Sequence, residues 1–515
     1  MFKIGACRMK TLARLLVGPL FLLLAANLAR SAEAIDPYNP PEGLFSDEWL
    51  EVYLGGSKMG YGHNTCRREG GVVHTATEMQ LRIGRAGQAI ELGVKQKTKE
   101  TVDGTPLAFS SEMDFSAQTL SMKGTIANGV VKVTTSQSGV EQTQAYDFPE
   151  GALMSWGLLR ESLIRGYKPG VEYTLDVYEP QSMLNAAIKT TTKIGDWEEF
   201  DHRGQKLRGM RAEATMVMPV GTIRMTSWVD AHGTVLKGEL PFPGVGDLVL
   251  YSVDEATALG DFMPPEIFMT TTITVPRIDT QKARAIKFRV TLKDEATGPL
   301  ELPTTGMQKP RMINDRTAEV VVMRQRHVGP ANDKYATPSD PALREYRDSN
   351  LSMNLDDPEL IKVAKKASGG AQEPFELAAN LRRFAREYIR NKSLDIGFAT
   401  ANEVCRTQEG DCSEHGVFLA ALGRLNGLPS RVVVGIAYAP IFGGATDIMG
   451  YHMWTQFYID GEWYDFDAAL GDEREPSPAR IAFAVSSLKH AGLVELSLPL
   501  IGTMGALDVE VVEVR

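Results

Sequence analysis

The chain reads as an α+β protein in which strands come first and helices later. Period-2 alternation with glycine-rich turns fills residues 45-262, a shorter β-rich stretch occupies 265-328, and helical spacing takes over from residue 357. At roughly 100–200 residues per domain, 515 residues correspond to about three domains. The 55 Lys+Arg against 65 Asp+Glu give a net charge of −10, which speaks against a general nucleic-acid binder, since phosphate binding needs a basic surface. A hydrophobic content of 43% excludes a disordered chain. Four cysteines are too few for a disulfide scaffold, so ordinary cores must hold the domains.

The N-terminus sets the expected compartment. Lys3, Arg8, Lys10 and Arg14 precede an apolar run from Leu15 to Leu28, and small residues Ala29, Ser31, Ala32 and Ala34 follow. This order is that of a secretory signal peptide over residues 1-34, with export to the periplasm or the extracellular space after cleavage. The apolar run is shorter than the ~20 residues that span a bilayer, and Pro19 interrupts it. Cys7 lies ahead of the run, so it offers no acceptor for lipid attachment. Cleavage removes five basic residues and one acidic one, taking the charge from −10 to −14.

Within 45-262, Trp49 to Tyr53 alternates before Gly55-Gly56, Val130 to Thr135 follows the Asn128-Gly129 turn, and Met225 to Asp230 closes on His232-Gly233. Many strands joined by short turns predict a largely antiparallel sheet. One helix interrupts it near Gly151 to Arg165, where Leu153, Trp156, Leu159 and Leu163 recur at helical spacing. The cadence is similar to periplasmic half-barrel domains that wrap a curved sheet around a helix. Thr271 to Val275 and Ile286 to Leu292 are the clearest strands of the second β stretch, and 329-356, rich in Pro, Asp, Asn and Ser, reads as a linker or lid. Asp357-Pro358 caps a short helix that ends at Gly369-Gly370. A second helix starts near Pro374 with Leu377, Leu381, Phe384 and Tyr388 on one core-facing stripe.

Chemistry concentrates in Gly410-Asp411-Cys412-Ser413-Glu414-His415 and the segments after it. Phe418, Ala421, Leu422 and Leu425 form an apolar helical face that Gly427 and Pro429 terminate. Cys412 therefore sits at the start of a buried helix, where the positive helix end favours thiolate. A strand from Ser430 to Ala439 comes next, then one from Tyr451 to Ile459, the two-residue turn Asp460-Gly461, and a return from Glu462 to Asp467. If Ile459 faces Glu462, Trp454 faces Asp467, and His452 is a diagonal neighbour of Asp467 on the same face. Asp465 shares that face but opposes Gln456, one step farther from the imidazole. A thiol at a helix start, with a His and an Asp paired across a hairpin, is the pattern of a Cys-His-Asp triad.

These segments, with Gly427-Leu428-Pro429-Ser430-Arg431, Tyr451-His452-Met453-Trp454 and Trp463 through Ala469, resemble the bacterial transglutaminase-like superfamily. The resemblance covers roughly Asp357 to Leu488, within a C-terminal domain drawn at 357-515. It implies a papain-like core: a helix carrying the thiol, packed on an antiparallel sheet carrying the other two residues. It maps nucleophile, base and orienting acid onto Cys412, His452 and Asp467. Two departures stand out. Gln456 replaces a frequent Glu, and Ala468-Ala469 replaces a frequent Pro-Thr.

The expected activity is a cysteine-dependent hydrolase or acyltransferase that acts on peptide-like amides through a thioester. Protease or amidase action is favoured over cross-linking, because water dominates as acceptor outside the cytoplasm and no EF-hand calcium loop is present. The Cys412 amide is the expected oxyanion donor, with Gln408 considered for the second. His415, one turn after Cys412, is expected in solvent or in a structural hydrogen bond. Lys365-Lys366 and Arg382-Arg383 are expected on solvated helix faces. Cys405, Cys412, His415 and His452 lack the tight paired spacing of a zinc site, so no metal or cofactor is expected. Cys66 and Cys405 receive no role. The expected partners are a peptide or protein substrate and an envelope component met by the β domains, with no nucleic acid. The contrasting expectation is a non-enzymatic envelope module that keeps only the fold.

Overall fold

In the computed structural model, residues 35–85, 88–115, 118–137, 140–218, 221–241, 244–267, 269–293, 299–326, 340–392, 399–470, 475–489 and 503–515 are described. Residues 1-34, expected from the sequence to be a signal peptide, and Cys7 within them lie outside these residues. The chain divides into two compact units, one built on residues up to Glu266 and the other on Ile267–Arg515. No helix among the described residues is long and apolar enough to cross a membrane.

The first unit is one fourteen-stranded sheet whose pairings are antiparallel wherever a register is resolved. Its first eight strands form a meander from Gly43–Leu54 to Val140–Asp147, and six more return so that Leu248–Val253 pairs with Gly43–Leu54. The Val140–Asp147 strand and the Glu172–Val177 strand are thus the two edges. In a flat sheet they would stand about 60 Å apart, at ~4.8 Å per strand. Yet Leu153, six residues beyond Asp147, already exchanges backbone hydrogen bonds with Asp176 and Tyr178 at the far edge (2.9 and 2.8 Å). Six residues reach about 20 Å at most. The sheet must therefore be strongly curled.

The predicted helix, observed at Ser155–Arg165, packs on the sheet. Trp156 and Leu159 meet Phe45, Cys66 and Val73 in one apolar cluster. Its N-terminus is closed by Glu100, whose two carboxyl oxygens accept the amides of Trp156 and Gly157 at 2.7 and 2.8 Å. Burial pushes the Glu100 carboxyl up to about 7, against the lowering effect of those amides and of Thr98. Glu179, buried beside Gln96 and Gln181, is likewise pushed up to about 7 by burial.

The second unit has three layers. Its central five-stranded sheet runs Ile273–Thr274, Ala445–Ile459, Ser430–Phe442, Arg480–Ser486, with Glu462–Phe466 paired to Ala445–Ile459. Helices Pro358–Ser368, Pro374–Tyr388, Ala401–Thr407 and Cys412–Leu425 share a core with one face of it. A four-stranded sheet, Gln308–Met312, Thr317–Met323, Ala285–Leu292 and Leu507–Val514, covers the other. Phe288, Val290 and Val320 there share a core with Ile436, Met449 and Ile481.

Three features differ from the sequence reading. Only Ile273–Thr274 of the Thr271 to Val275 stretch is strand, and it pairs with Met449 and Ile448 in the central sheet. The last strand, Leu507–Val514, leaves the C-terminal segment to pair with Ala285–Leu292. The 265-328 stretch has its core in common with the C-terminal sheet, because the three strands it contributes to the four-stranded sheet have an apolar face that needs a second layer to bury it. The described part of the linker, from Asp340 on, holds a short 3-10 helix, Pro341–Tyr346, docked through the Tyr346 ring against Trp463 (centroids 4.9 Å).

Glu100 and Glu179 give the first unit a pH signature. Both carboxyls titrate higher folded than unfolded, so the folded chain binds more protons. The associated stability is complete below about pH 4 and declines as pH rises through about 7, by up to about 3 kcal/mol per carboxyl. Amide exchange in the Gln88–Thr101 strand is expected to be slower, at matched intrinsic rate, at pH 5 than at pH 8, with Glu179→Gln flattening the difference. A profile that rises with pH overturns the assignment.

Candidate active site

The Cys412–Leu425 helix begins where it does because of three residues. Asp411 is the N-cap, its Oδ1 accepting the Ser413 amide at 2.8 Å. Glu414 answers from the third position, its Oε2 accepting the Asp411 amide at 2.9 Å, which completes a capping box. Gly410, at φ +150, stands where a Cβ would lie 2.2 Å from the Glu414 Cβ, so a side chain there would dislodge the cap. Glu414 also accepts the Ala399 amide at 2.8 Å, tying a neighbouring loop to the same carboxyl. Burial, then the adjacent Asp411 charge, push the Glu414 carboxyl well above the usual range.

Cys412 is consequently the first helical residue, at the positive end of a helix whose body is buried on nearly every side. The helix lies flush on the Ala445–Ile459 strand because Gly423 leaves room for the Phe457 ring, which a Cβ would approach to 2.1 Å. Thr455 Oγ1 also donates to the Gly416 carbonyl at 2.7 Å. Of the described cysteines, Cys66 and Cys405 are buried and Cys412 is half-buried. Burial pushes the Cys405 thiol up to about 11 and the Cys66 thiol well above its usual value.

The imidazole and the acid come from the hairpin. Asp460 and Gly461 both have positive φ (50 and 84), the geometry of a two-residue type I′ turn. Ile459 faces Glu462 and Gln456 faces Asp465, as the register arithmetic requires. His452 Nε2 lies 2.9 Å from Asp467 Oδ2, with both residues buried. A carboxylate only accepts, so Nε2 carries the proton and Nδ1 is left with the lone pair.

Asp467 is satisfied on all sides. Oδ2 also accepts from Arg480 Nη1 (3.1 Å), and Oδ1 accepts the amides of Ala469 and Leu470 (2.9 Å each). Burial alone would raise its pKa. The His452 charge and hydrogen bond, then Arg480 and the Leu470 amide, overcome this and hold it well below the carboxylate range. Arg382, expected in solvent, is instead buried and donates to the Asp467 carbonyl at 3.1 Å. Its helix turns that side to the sheet.

Asp465 has a different environment. It accepts from Trp454 Nε1 (2.7 Å) and from Gln456, both neutral, and burial raises its pKa. Gln456 in turn accepts from Arg431 at 2.7 Å. Trp454 underlies the site, its ring 6.0 Å from the His452 ring and 5.0 Å from the Arg480 guanidinium.

Cys412 and His452 line one cleft of about 310 Å³, with His415, Lys392, Phe442 and Leu470 also in its walls. Asp467 stands behind His452 and does not line it. Gln408 does not line it either. It occupies the left-handed C-cap of Ala401–Thr407 (φ 58), and its carbonyl accepts the amides of Arg390 and Asn391. The described part of 329-356 contributes nothing to the lining: Asn350 Nδ2 donates to the Ser487 carbonyl and the Asp348 carbonyl accepts from Arg424, away from the cleft. Arg480 is the site residue that sequence reasoning missed. A lone Arg after Pro476-Ser477-Pro478 carries no local signal of its partner.

Residues 361–468 match the model of the Transglutaminase-like superfamily, about a fifth of the chain, and this segment contains Cys412, His452 and Asp467. No curated protein matches the chain. Among solved structures, a candidate cysteine protease from Cytophaga hutchinsonii is similar at 14% identity, covering 44% of this chain and 86% of that one, with a TM-score of 0.30. The hypothetical lipoprotein YmcC from Escherichia coli is similar at 13% identity, covering 46% and 96%, with a TM-score of 0.18. A candidate protease from Parabacteroides distasonis is similar at 9% identity, covering 73% and 68%, with a TM-score of 0.19.

Removing one partner of a buried charge strands the other. Arg480→Met is expected to lower stability at pH 7 by on the order of 3 kcal/mol in urea denaturation, because Asp467 loses a cation while staying buried. The lowered Asp467 pKa contributes stability present above about pH 4 and lost as pH falls through the folded value, so the deficit of the variant shrinks in acid. A deficit independent of pH counts against the charge pairing.

Proposed function

We propose that the protein is an exported cysteine hydrolase that cleaves peptide-like amide bonds through a thioester on Cys412. The C-terminal region is transglutaminase-like, which supports cysteine-nucleophile chemistry in the broad sense. The observation that carries the finer reading is the shared cleft: a half-buried thiol at a helix start and an imidazole clamped by a buried carboxylate.

His452 Nδ1 takes the proton from Cys412 Sγ, and the thiolate attacks the amide carbonyl carbon. Asp467 keeps the imidazole in the Nε2–H form and stabilises the imidazolium, with Arg480 and two backbone amides holding the acid ionised. The tetrahedral oxyanion forms beside the amides that open the Cys412–Leu425 helix, where the positive end of the dipole lies. His452 returns the proton to the leaving amine as the C–N bond breaks. Water, deprotonated by the same nitrogen, then attacks the thioester and releases the acid and the thiol. Export rests on the basic residues and apolar run of the leader, and outside the cytoplasm water is the acceptor in abundance.

The test is alkylation by iodoacetamide at pH 5.5, where an ordinary thiol is only about 0.1% ionised. Cys412 is expected to react at least about 10-fold faster than glutathione, with the excess lost in Cys412→Ala and strongly reduced in His452→Ala. Equal labelling of wild type and Cys412→Ala favours the non-enzymatic envelope module instead.

A further inference from the structure

The cleft contains a second imidazole that the mechanism above does not use. His415 lies one helical turn after Cys412, is 2% exposed, and lines the same cleft. Its Nδ1 is bonded to the Asp411 carbonyl, which also accepts the His415 backbone amide at 3.1 Å. A carbonyl cannot donate, so Nδ1 carries the proton and Nε2 presents a lone pair. That Nε2 is buried and has no hydrogen-bond partner among the described residues.

The two imidazoles are therefore held in different ways. His452 is backed by a carboxylate and can become a cation, as a general base must. His415 is backed by a neutral carbonyl. Burial disfavours its cationic form most, opposed by the Asp411 carbonyl bond; the Lys392 charge adds to burial, and the Asp467 and Asp411 charges oppose it. It is built to stay neutral and to accept.

We propose that His415 Nε2 accepts a hydrogen bond from an N–H of the bound acyl substrate, making the site selective for carbonyl compounds that carry an N–H donor. The ligand class is an amide with a free N–H next to the reacting carbon, in preference to an ester of similar size. A buried acceptor is costly to leave unmade, so a substrate that supplies the donor binds better than one that cannot. This inference rests on Cys412 being the nucleophile of the proposed reaction.

The experiment compares alkylation of Cys412 by iodoacetamide, which has an N–H, with methyl iodoacetate, which is close in size and has none. Each rate is divided by the same reagent's rate with glutathione, on the full-length protein. The expected normalised preference for the amide is roughly 10-fold in wild type, near unity in His415→Met, and retained in His415→Gln, whose carbonyl oxygen restores an acceptor. A wild-type preference near unity overturns the inference, as does an unchanged preference in a folded His415→Met. If His415→Met does not fold, the wild-type ratio decides. The failure of the underlying reading looks different: Cys412 then alkylates no faster than glutathione with either reagent.

Discussion

The Asp467 carboxylate is the group around which the candidate site of the second unit is arranged. It is buried, and a buried charge survives only when neighbouring groups meet its lone pairs. Four donors do so, from His452, Arg480 and the amides of Ala469 and Leu470. Each imposes a condition elsewhere. The His452 bond requires the two-residue turn at Asp460-Gly461, since one more residue would shift the return strand and turn its side chains to the opposite face. The Arg480 bond requires the Arg480–Ser486 strand to lie on the far side of Ser430–Phe442. The amides require the chain to bend sharply after Asp467, and Arg382 and Arg386 secure that bend through the carbonyls of Asp467 and Ala469.

The thiol is positioned by a separate device of similar economy. Gly410, Asp411 and Glu414 fix the helix start to a single residue, and the glycines at 416 and 423 let the helix rest on the strand that carries His452. Cys412 and His452 thus belong to elements in direct contact, whose separation is set by backbone packing and not by long side chains. Trp454 lies beside both His452 and Arg480, its ring roughly parallel to the imidazole and under the guanidinium.

What was legible in the sequence is what local chemistry dictates. The Asp460-Gly461 turn, the Asp357-Pro358 start, the Gly427 stop and the strand alternation all rest on residues a few positions apart. The hairpin register followed from the turn, and with it the choice of Asp467 over Asp465 as the partner of His452. The short helix Ala401–Thr407 was legible too, in the Thr400–Glu403 capping box, but passed unread. Contacts between distant segments left no such trace. Arg480, the pairing of Leu507–Val514 with Ala285–Leu292, and the burial of Arg382 depend on which surfaces meet in space. A charged residue on a helix is ordinarily solvated, and Arg382 is buried where it meets the Asp467 loop.

The low cysteine number takes on meaning from burial. Cys66 and Cys405 lie in apolar surroundings that raise their pKa values, so neither is a ready nucleophile or metal ligand. For the exported thiol hydrolase proposed above, a reactive cysteine is safest when the other thiols are out of reach. Burial does this for Cys66 and Cys405, leaving Cys412 as the described thiol that faces a cleft. The same low-polarity setting separates the two histidines. Next to a carboxylate an imidazole can take up a proton inside the protein, whereas burial disfavours the cationic form of His415 although its bond to the Asp411 carbonyl favours it. A site with one histidine of each kind can move a proton with the first and hold an N–H with the second.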